Sequence, residues 1–179
     1  IKPGTTLEIL AKLRPAFKKE GGSVTAGNAS GLNDGSAALL LANEQGLKDQ
    51  GLEPLAEIVS SAVVGVEPRI MGIGPVKASE LALERAGISF DDLDVIELNE
   101  AFAAQALACI RQWGLSDDDP RINPNGGGIS LGHPLGVTGS RILLAAARQL
   151  RRTGGKFGLV TLCIGVGQGY AVVIKNTQV

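Results

Sequence analysis

The stretch "PVKASELALERAGISFDDLDVIELNEAFAAQALACIRQW", residues 75–113, decides the fold class. Its first part predicts a helix, because Pro75 suits the first helical turn and Gly87 suits the position just past a helix end. The short apolar run "DVIEL", residues 94–98, predicts a strand. A second helix is expected over "AFAAQALACIRQW", which is apolar nearly all round and is therefore expected to be buried. Helices that alternate with a strand in this way are typical of an α/β domain.

The alternation continues on both sides of this stretch. Upstream, "SAALLLAN" (residues 36–43) could form a buried strand, "EQGLKDQGL" predicts a short helix, and "PLAEIVSSAVVGV" predicts a long β-branched strand. Downstream, "GVTGSRILLAAARQLRR" predicts a helix, and "FGLVTLC" and "GYAVVI" predict two strands joined by a glycine-rich turn. The resulting order, βαβαβα followed by a further helix and ββ, predicts a layered α/β domain with a largely parallel sheet.

The first 27 residues differ in composition from the rest of the chain. They contain basic residues scattered from position 12 to 19 and a Gly21-Gly22 break. We expect residues 1–27 to be the tail of a preceding region and residues 28–179 to form the main domain. The sequence begins at Ile1 without a methionine or a signal-peptide pattern, so we also expect it to start partway through a longer protein.

The overall composition argues against several classes of protein. The 179 residues are 44% apolar, which is enough for the core of one domain. A formal net charge of -1 argues against a nucleic-acid binder, and no apolar run reaches the roughly 18 residues of a membrane span. The two cysteines form no CxxC pair, so neither a disulfide framework nor a zinc site is indicated. We therefore expect a cytoplasmic protein that binds no metal, nucleic acid or membrane.

Three polar motifs follow the ends of predicted elements, which is where sites collect in open α/β sheets. Asn99 follows the strand "DVIEL" and is either a plain helix N-cap or a ligand for an anion or a water. His133 is the only histidine and is followed by a proline that favours an extended backbone; it is either structural or a proton carrier. Cys163 opens "CIGVGQG", whose alternating glycines would leave one face of an extended segment open to a ligand.

The same motifs exclude two kinds of nucleotide site. "CIGVGQG" has the spacing GxGxG between two strands rather than GxGxxG before a helix, and "GVTGSR" lacks the lysine of a P-loop. Cys109 falls within a predicted buried helix and is expected to be inert core.

A cysteine, a histidine and an asparagine at element ends favour acyl transfer, with a thiol as nucleophile or proton carrier, the histidine as activating base and polar donors for the oxyanion.

Four motifs in order resemble the C-terminal half of the thiolases, a family that includes acetyl-CoA acetyltransferase and 3-ketoacyl-CoA thiolase. They are "GNASGLNDG", "NEAFA", "NGGGISLGHPLGVTGSR" and "CIGVGQG", and the resemblance covers essentially the whole chain. It implies a thiolase-type βαβαβαββ domain, with a mixed sheet and helices on its faces. It also implies acyl transfer between a thioester and CoA, by Claisen condensation of acyl-CoA or thiolysis of 3-ketoacyl-CoA. Coenzyme A and acyl-CoA would be substrates, with no tightly bound cofactor.

The resemblance implies four catalytic positions. His133 would activate the nucleophilic cysteine and help to bind the thioester oxygen. Cys163 would act as the acid/base for the departing or attacking group. Asn99 would hold a water that forms one oxyanion hole with the histidine, and the backbone N–H of Gly165 would contribute to a second.

Three further positions would contact the substrate by the same resemblance. Ser30 would touch the pantetheine arm, and Met71 and Phe102 would line the acyl and pantetheine tunnel. The glycines around the histidine would let the thioester and pantetheine approach the backbone closely.

One departure from the family pattern concerns the nucleophile. The nucleophilic cysteine of thiolases lies in the N-terminal half, and no cysteine of this sequence matches it. We expect that half to supply the nucleophile, this chain alone to be inactive, and the protein to form a homo-dimer or homo-tetramer. Two alternatives stay open: a non-catalytic CoA-binding or scaffold subunit of a multi-chain thiolase-like complex, and a cysteine hydrolase with Cys163 as nucleophile and His133 as base.

Overall fold

Helices and strands alternate along the chain, whose residues 2–179 are described by a computed structural model. The helices are α1 (Leu7–Leu10), α2 (Glu44–Gln50), α3 (Gly74–Ala86), α4 (Ala103–Gln112), α5 (Gly128–Leu131) and α6 (Thr138–Thr153), with short 3-10 helices at Pro68–Ile73 and Phe90–Asp92. The strands are β1 (Ala56–Gly65), β2 (Leu93–Leu98), β3 (Phe157–Ile164) and β4 (Gln168–Asn176). This succession confirms the predicted α/β class.

Within the described residues the strands form one mixed sheet in the order β1-β4-β3-β2. Only β2 and β3 pair in parallel, whereas β4 pairs antiparallel with both β3 and β1. The mixed sheet is confirmed, but the expectation of a largely parallel sheet is wrong. A tight turn joins β3 to β4 and reverses the chain, which makes that pair antiparallel.

The strand predicted over residues 36–43 is wrong. No residue of this run pairs with a strand in the described part of the chain, and the side chains of Leu40 and Leu41 are 80% and 72% exposed. An apolar run is buried only if another strand or helix packs against it, and the run itself does not show whether one will. The proposed boundary after residue 27 stays a prediction.

The central stretch of the sequence forms the helix, strand and helix that it predicts. Pro75 lies in the first turn of α3, and Gly87 follows its last residue with φ 68°, a left-handed conformation that favours glycine. Helix α4 was predicted to be buried nearly all round, and this is wrong. Its buried side chains lie on one side, while Ala104 and Arg111 are exposed.

Helices cover both faces of the sheet. On one face, Ala82 and Leu83 of α3 pack against Ile96 of β2 and its neighbours. On the other face, Ile142 and Leu150 of α6 pack against the next layer of strand side chains. Burying each large aliphatic side chain stabilises the fold by about 1.5–3 kcal/mol. Because β2 and β3 are parallel, their carboxyl ends lie at the same edge of the sheet, where Asn99 and Cys163 are found.

Candidate active site

Six of the seven residues predicted for the site line one cavity of about 490 Å³. They are Ser30, Met71, Phe102, His133, Cys163 and Gly165. The seventh, Asn99, is 1% exposed and contacts the ring of His133 through its side-chain amide. The fold therefore brings together residues that lie as far apart in the sequence as positions 30 and 165.

His133 is held by its backbone as well as by its ring. Its N–H donates to the carbonyl of Gly31 and to Oδ1 of Asn33, each at 3.2 Å. His133 also forms an isolated β-bridge with Leu32. The preceding Gly132 has φ 108°, and a Cβ there would lie 2.6 Å from Asn33 Oδ1. Glycine is therefore required at this position to let the chain pass close to Asn33.

The hydrogen bonds of the His133 ring indicate which nitrogen carries the proton. Thr138 Oγ1 donates to the carbonyl of Pro134 at 3.1 Å, so its lone pair accepts from Nδ1–H of His133 at 2.7 Å. Nε2 is then the unprotonated nitrogen, and it accepts from Nδ2 of Asn99 at 3.3 Å. Burial, and then the positive charge of Arg141, lower the pKa of His133 below its usual 6.5. The ring is thus neutral at pH 7 and presents a basic lone pair.

Asn99 does not cap a helix. Helix α4 begins at Ala103, and its N-cap position is occupied by Phe102. Asn99 instead continues from β2, where its N–H donates to the carbonyl of Thr161 on β3 at 3.0 Å. Its Oδ1 is buried and has no hydrogen-bond partner among residues 2–179. The plain N-cap alternative is therefore wrong, and the side-chain amide contacts His133 instead.

Cys163 lies near the end of β3 and is 8% exposed. Burial raises the pKa of its thiol, an effect that a backbone hydrogen bond partly offsets. The thiol is therefore protonated at neutral pH, which suits a proton donor better than a thiolate nucleophile. This observation argues against the cysteine-hydrolase alternative.

The sequence predicted one extended segment with an open face after Cys163, and this is wrong, because a turn interrupts it and only Gly169 lies in a strand. Residues 165–167 form a tight turn in which Val166 and Gly167 have φ 63° and 87°. A Cβ on Gly167 would collide with the carbonyl of Val66, and one on Gly169 would collide with the carbonyl of Gly74. A Cβ on Gly165 would meet no other described residue within 4 Å, so this glycine is the one that faces open space.

The glycines before His133 also face the chain itself. The carboxylate of Glu100 fills the space beside Gly127, and a Cβ on Gly128 would lie 3.0 Å from Asn99 Oδ1. The expectation that these glycines let a substrate approach the backbone is wrong at both positions. They let the loop pack closely around Asn99 and Glu100.

Sequence reasoning missed several residues that shape the site. Thr138 orients the ring of His133. The sequence signal for this contact was that Thr138 follows His133 by five residues and begins a helix. Phe17 and Val24 line the cavity, so the first 27 residues contribute to it. The rings of Phe17 and Phe102 meet edge to face with their centroids 6.1 Å apart.

Residues 2–179 contain neither a metal-binding cluster nor a helix able to span a membrane. No group of three or more His, Cys, Asp or Glu side chains there could hold a metal ion. In the same part of the chain, no helix combines the length and apolar character needed to cross a bilayer.

Family models match most of the sequence. The model described as "Thiolase, C-terminal domain" matches residues 52–176, and the model described as "Thiolase, N-terminal domain" matches residues 1–45. The chain belongs to the thiolase family. Its relatives include the 3-oxoadipyl-CoA/3-oxo-5,6-dehydrosuberyl-CoA thiolase of Escherichia coli strain K12, 58% identical over 176 residues that cover 98% of this chain and 44% of that protein. A beta-ketoadipyl-CoA thiolase of Acinetobacter baylyi is 56% identical over 175 residues, covering 98% of this chain and 43% of that protein.

Solved structures of thiolases have the same fold. Human mitochondrial 3-ketoacyl-CoA thiolase superposes with a TM-score of 0.94 at 52% identity, over 98% of this chain and 44% of that one, and a second structure of that enzyme is a complex with CoA. The acetyl-CoA acetyltransferase of Bacillus anthracis gives a TM-score of 0.93 at 50% identity, with the same coverage. The chain thus spans less than half the length of the thiolases that it matches.

Proposed function

We propose that this chain is part of a thiolase that transfers an acyl group between a thioester and CoA, by thiolysis of a 3-ketoacyl-CoA or by the reverse Claisen condensation. The observation that carries this proposal is that His133 and Cys163 line one cavity, while the Asn99 amide contacts Nε2 of the same histidine. The relatives named for beta-ketoadipyl-CoA and 3-oxoadipyl-CoA support an acyl chain that ends in a free carboxylate.

His133 is suited to the first proton transfer. A cysteine from a part of the polypeptide outside residues 1–179 would displace the Asn99 amide from Nε2 and give its proton to the lone pair of that nitrogen. Its sulfur would then attack the C3 carbonyl of the 3-ketoacyl-CoA. The new Nε2–H, together with a water held by Asn99, would donate to the oxygen that gains negative charge. The same nitrogen therefore serves first as base and then as hydrogen-bond donor.

Cys163 is suited to the second proton transfer. When the bond between C2 and C3 breaks, its electron pair stays on C2 of the departing acetyl-CoA, and the thiol of Cys163 would protonate that carbon. The resulting thiolate would then take the proton of an incoming CoA thiol, whose sulfur attacks the acyl-enzyme and releases the shortened acyl-CoA. The backbone N–H of Gly165 would stabilise the oxyanion formed on the CoA thioester.

The remaining site residues would hold the substrate. We propose that Ser30 contacts the pantetheine arm and that Met71 and Phe102 line its tunnel, in line with their place in the cavity wall. The homo-dimeric or homo-tetrameric assembly and the cytoplasmic location stay predictions.

The test is a kinetic comparison in the full-length polypeptide. His133→Ala should abolish thiolysis while the circular dichroism spectrum and melting temperature stay near those of the wild type, because loss of a general base lowers turnover by about 10²–10⁴-fold. Retained activity above roughly one hundredth would contradict the assignment. A wild-type protein that binds CoA but turns over no 3-ketoacyl-CoA would instead support the scaffold alternative.

A further inference from the structure

The side chain of Asn123 binds the backbone of the residue before Asn99 as a neighbouring strand would. Its Oδ1 accepts from the N–H of Leu98 at 2.9 Å, and its Nδ2 donates to the carbonyl of Leu98 at 2.8 Å. Asn123 has φ 46°, a left-handed conformation that asparagine tolerates better than most residues. Its own N–H is anchored on the carbonyl of Ile96 at 2.8 Å. Asn123 therefore fixes the end of β2 just before Asn99.

The same amide also reaches the residue after Asn99. Nδ2 of Asn123 donates to Oε1 of Glu100 at 3.0 Å. The other carboxylate oxygen, Oε2, accepts from the N–H of Ile129 at 3.1 Å. Glu100 thereby joins the end of β2 to α5, the short helix that leads through Gly132 to His133. Both neighbours of Asn99 are thus tied to one side chain, and one of them is tied to the histidine loop.

Asn99 depends on its neighbours for orientation because its own carboxamide makes few hydrogen bonds. Its Oδ1 is buried without a hydrogen-bond partner in the described part of the chain. Its Nδ2 has the single contact with His133 Nε2 at 3.3 Å, which is long for a hydrogen bond. The backbone on either side must therefore set the direction of the amide.

We propose that Asn123 and Glu100 are positioning residues that hold the Asn99 amide against His133. The expected effect on turnover rests on the proposed thiolase function. The hydrogen-bond network itself is independent of the reaction.

The kinetic test compares two asparagines of the same loop in the full-length polypeptide. Asn123→Ala removes the side chain that supports Asn99. Asn125→Ala is the matched control, because Asn125 binds only Gln149 and Arg152 at the surface among the described side chains. We expect Asn123→Ala to lower kcat at least about ten-fold with KM changed less than about two-fold, since the group that it misplaces acts on the transition state. Asn125→Ala should leave both constants within about two-fold of the wild type.

A spectroscopic test does not depend on turnover. The ¹⁵N resonance of His133 Nε2, assigned by its absence in His133→Asn, reports whether Asn99 still donates to that nitrogen. Asn123→Ala should move this resonance and Asn125→Ala should not. If the wild type proves to have no thiolase activity, a moved resonance still supports the positioning role and the proposed function alone fails.

Glu100 gives a second variant for the case in which Asn123→Ala does not fold. Glu100→Gln keeps one carbonyl oxygen to accept from Asn123 or Ile129 but not from both. It should move the Nε2 resonance less than Glu100→Ala does, with an intermediate kcat. An unmoved Nε2 resonance with unchanged kcat, in Asn123→Ala or in both Glu100 variants, would overturn the proposal.

Discussion

The side-chain amide of Asn99 lies 3.3 Å from Nε2 of His133, although 34 positions separate the two residues in the sequence. Both side chains are buried, and Thr138 holds the opposite nitrogen of the ring. The imidazole is therefore fixed between two polar partners in one tautomer. The pKa of His133 should therefore show how strongly this environment disfavours the protonated ring.

We predict that His133 titrates below pH 6.5 and that Arg141→Met moves its pKa upward. Burial is the larger cause of the lowered pKa, and the charge of Arg141 is the second, so removal of that charge should restore part of the difference. In the proposed reaction the neutral ring is the base, and activity should fall as the pH drops through this pKa. An NMR titration of the His133 ring, assigned with His133→Asn, measures the value directly.

Arg148→Met serves as the control for this titration, because Arg148 is an exposed residue of the same helix. It should leave the pKa of His133 unchanged. A His133 pKa above 6.5 in the wild type would contradict the burial argument. Equal shifts in the two arginine variants would mean that Arg141 has no specific effect on the ring.

We predict that Glu97 makes the protein less stable as the pH rises from about 4.5 to 7. Burial raises the pKa of this carboxyl from 4.5 to about 7, while Arg141 opposes the shift and Glu100 adds to it. In this window the folded protein binds a proton that the unfolded chain has lost, so the free energy of unfolding falls with pH and levels off above about 7. The loss amounts to about 3 kcal/mol, given about 1.4 kcal/mol per pKa unit.

Urea unfolding of the wild type and Glu97→Gln at several pH values tests this prediction. The difference in stability between the variant and the wild type should grow in favour of the variant from about pH 4.5 to 7 and then stay constant. Glu57→Gln, on the exposed side of β1, controls for the loss of a negative charge. Parallel stability curves for the wild type and Glu97→Gln would rule out a raised carboxyl pKa.

Elements that depend on local signals could be predicted from the sequence. Helix α3 is an example, because Pro75 and Gly87 act through the backbone of their own turns and need no distant partner. The apolar run at residues 36–43 shows the opposite case. Hydrophobicity predicts that a segment will be buried somewhere, but pairing with a specific strand is a property of the whole fold.

The sequence indicated which residues to consider for the candidate site, but it did not indicate which side chains would contact them. His133 and Cys163 stand out because histidine and cysteine are rare in this sequence and follow the ends of elements. The glycines around them were assigned to a substrate, whereas Glu100 fills the space beside Gly127. Which side chain lies against a glycine depends on contacts between segments that are distant in the sequence, and a single sequence contains no direct signal for them.

We predict that iodoacetamide modifies Cys163 faster than Cys109. Both thiols have a raised pKa because of burial, to about 11 for Cys109, so both should react slowly at pH 8. Cys163 lines the cavity, while Cys109 is fully buried and lies against Gln105 and the carbonyl of Gly72. Peptide mapping by mass spectrometry gives the two rates separately.

Cys109→Ser provides the matched variant for this comparison. A serine hydroxyl can donate to Gly72 and accept from Gln105 as the thiol does, so we expect nearly unchanged turnover in the full-length protein. Faster modification of Cys109 than of Cys163, or complete loss of activity in a folded Cys109→Ser protein, would contradict the assignment of Cys109 to the core.

We predict that Gly169→Ala destabilises the protein by at least about 2 kcal/mol, as expected for overpacking against atoms that cannot move aside. A Cβ on Gly169 would collide with the carbonyl of Gly74, the first residue of α3, and both partners are backbone. Gly65→Ala is the control, since Gly65 lies on the neighbouring strand β1 and a Cβ there meets no other described residue within 4 Å. It should change stability by no more than about 0.5 kcal/mol.

Gly169→Ala also separates two explanations for the glycines after Cys163. If Gly169 faced a bound substrate, the alanine would raise KM and leave the melting temperature unchanged. If it faces α3, as the structure shows, the melting temperature should fall, because a loss of stability lowers it in proportion to that loss divided by the entropy of unfolding. Because Gly169 pairs with Cys163 across the β3–β4 hairpin, the same displacement should move the thiol and lower kcat. A raised KM with an unchanged melting temperature would show that the close approach of β4 to α3 does not require glycine.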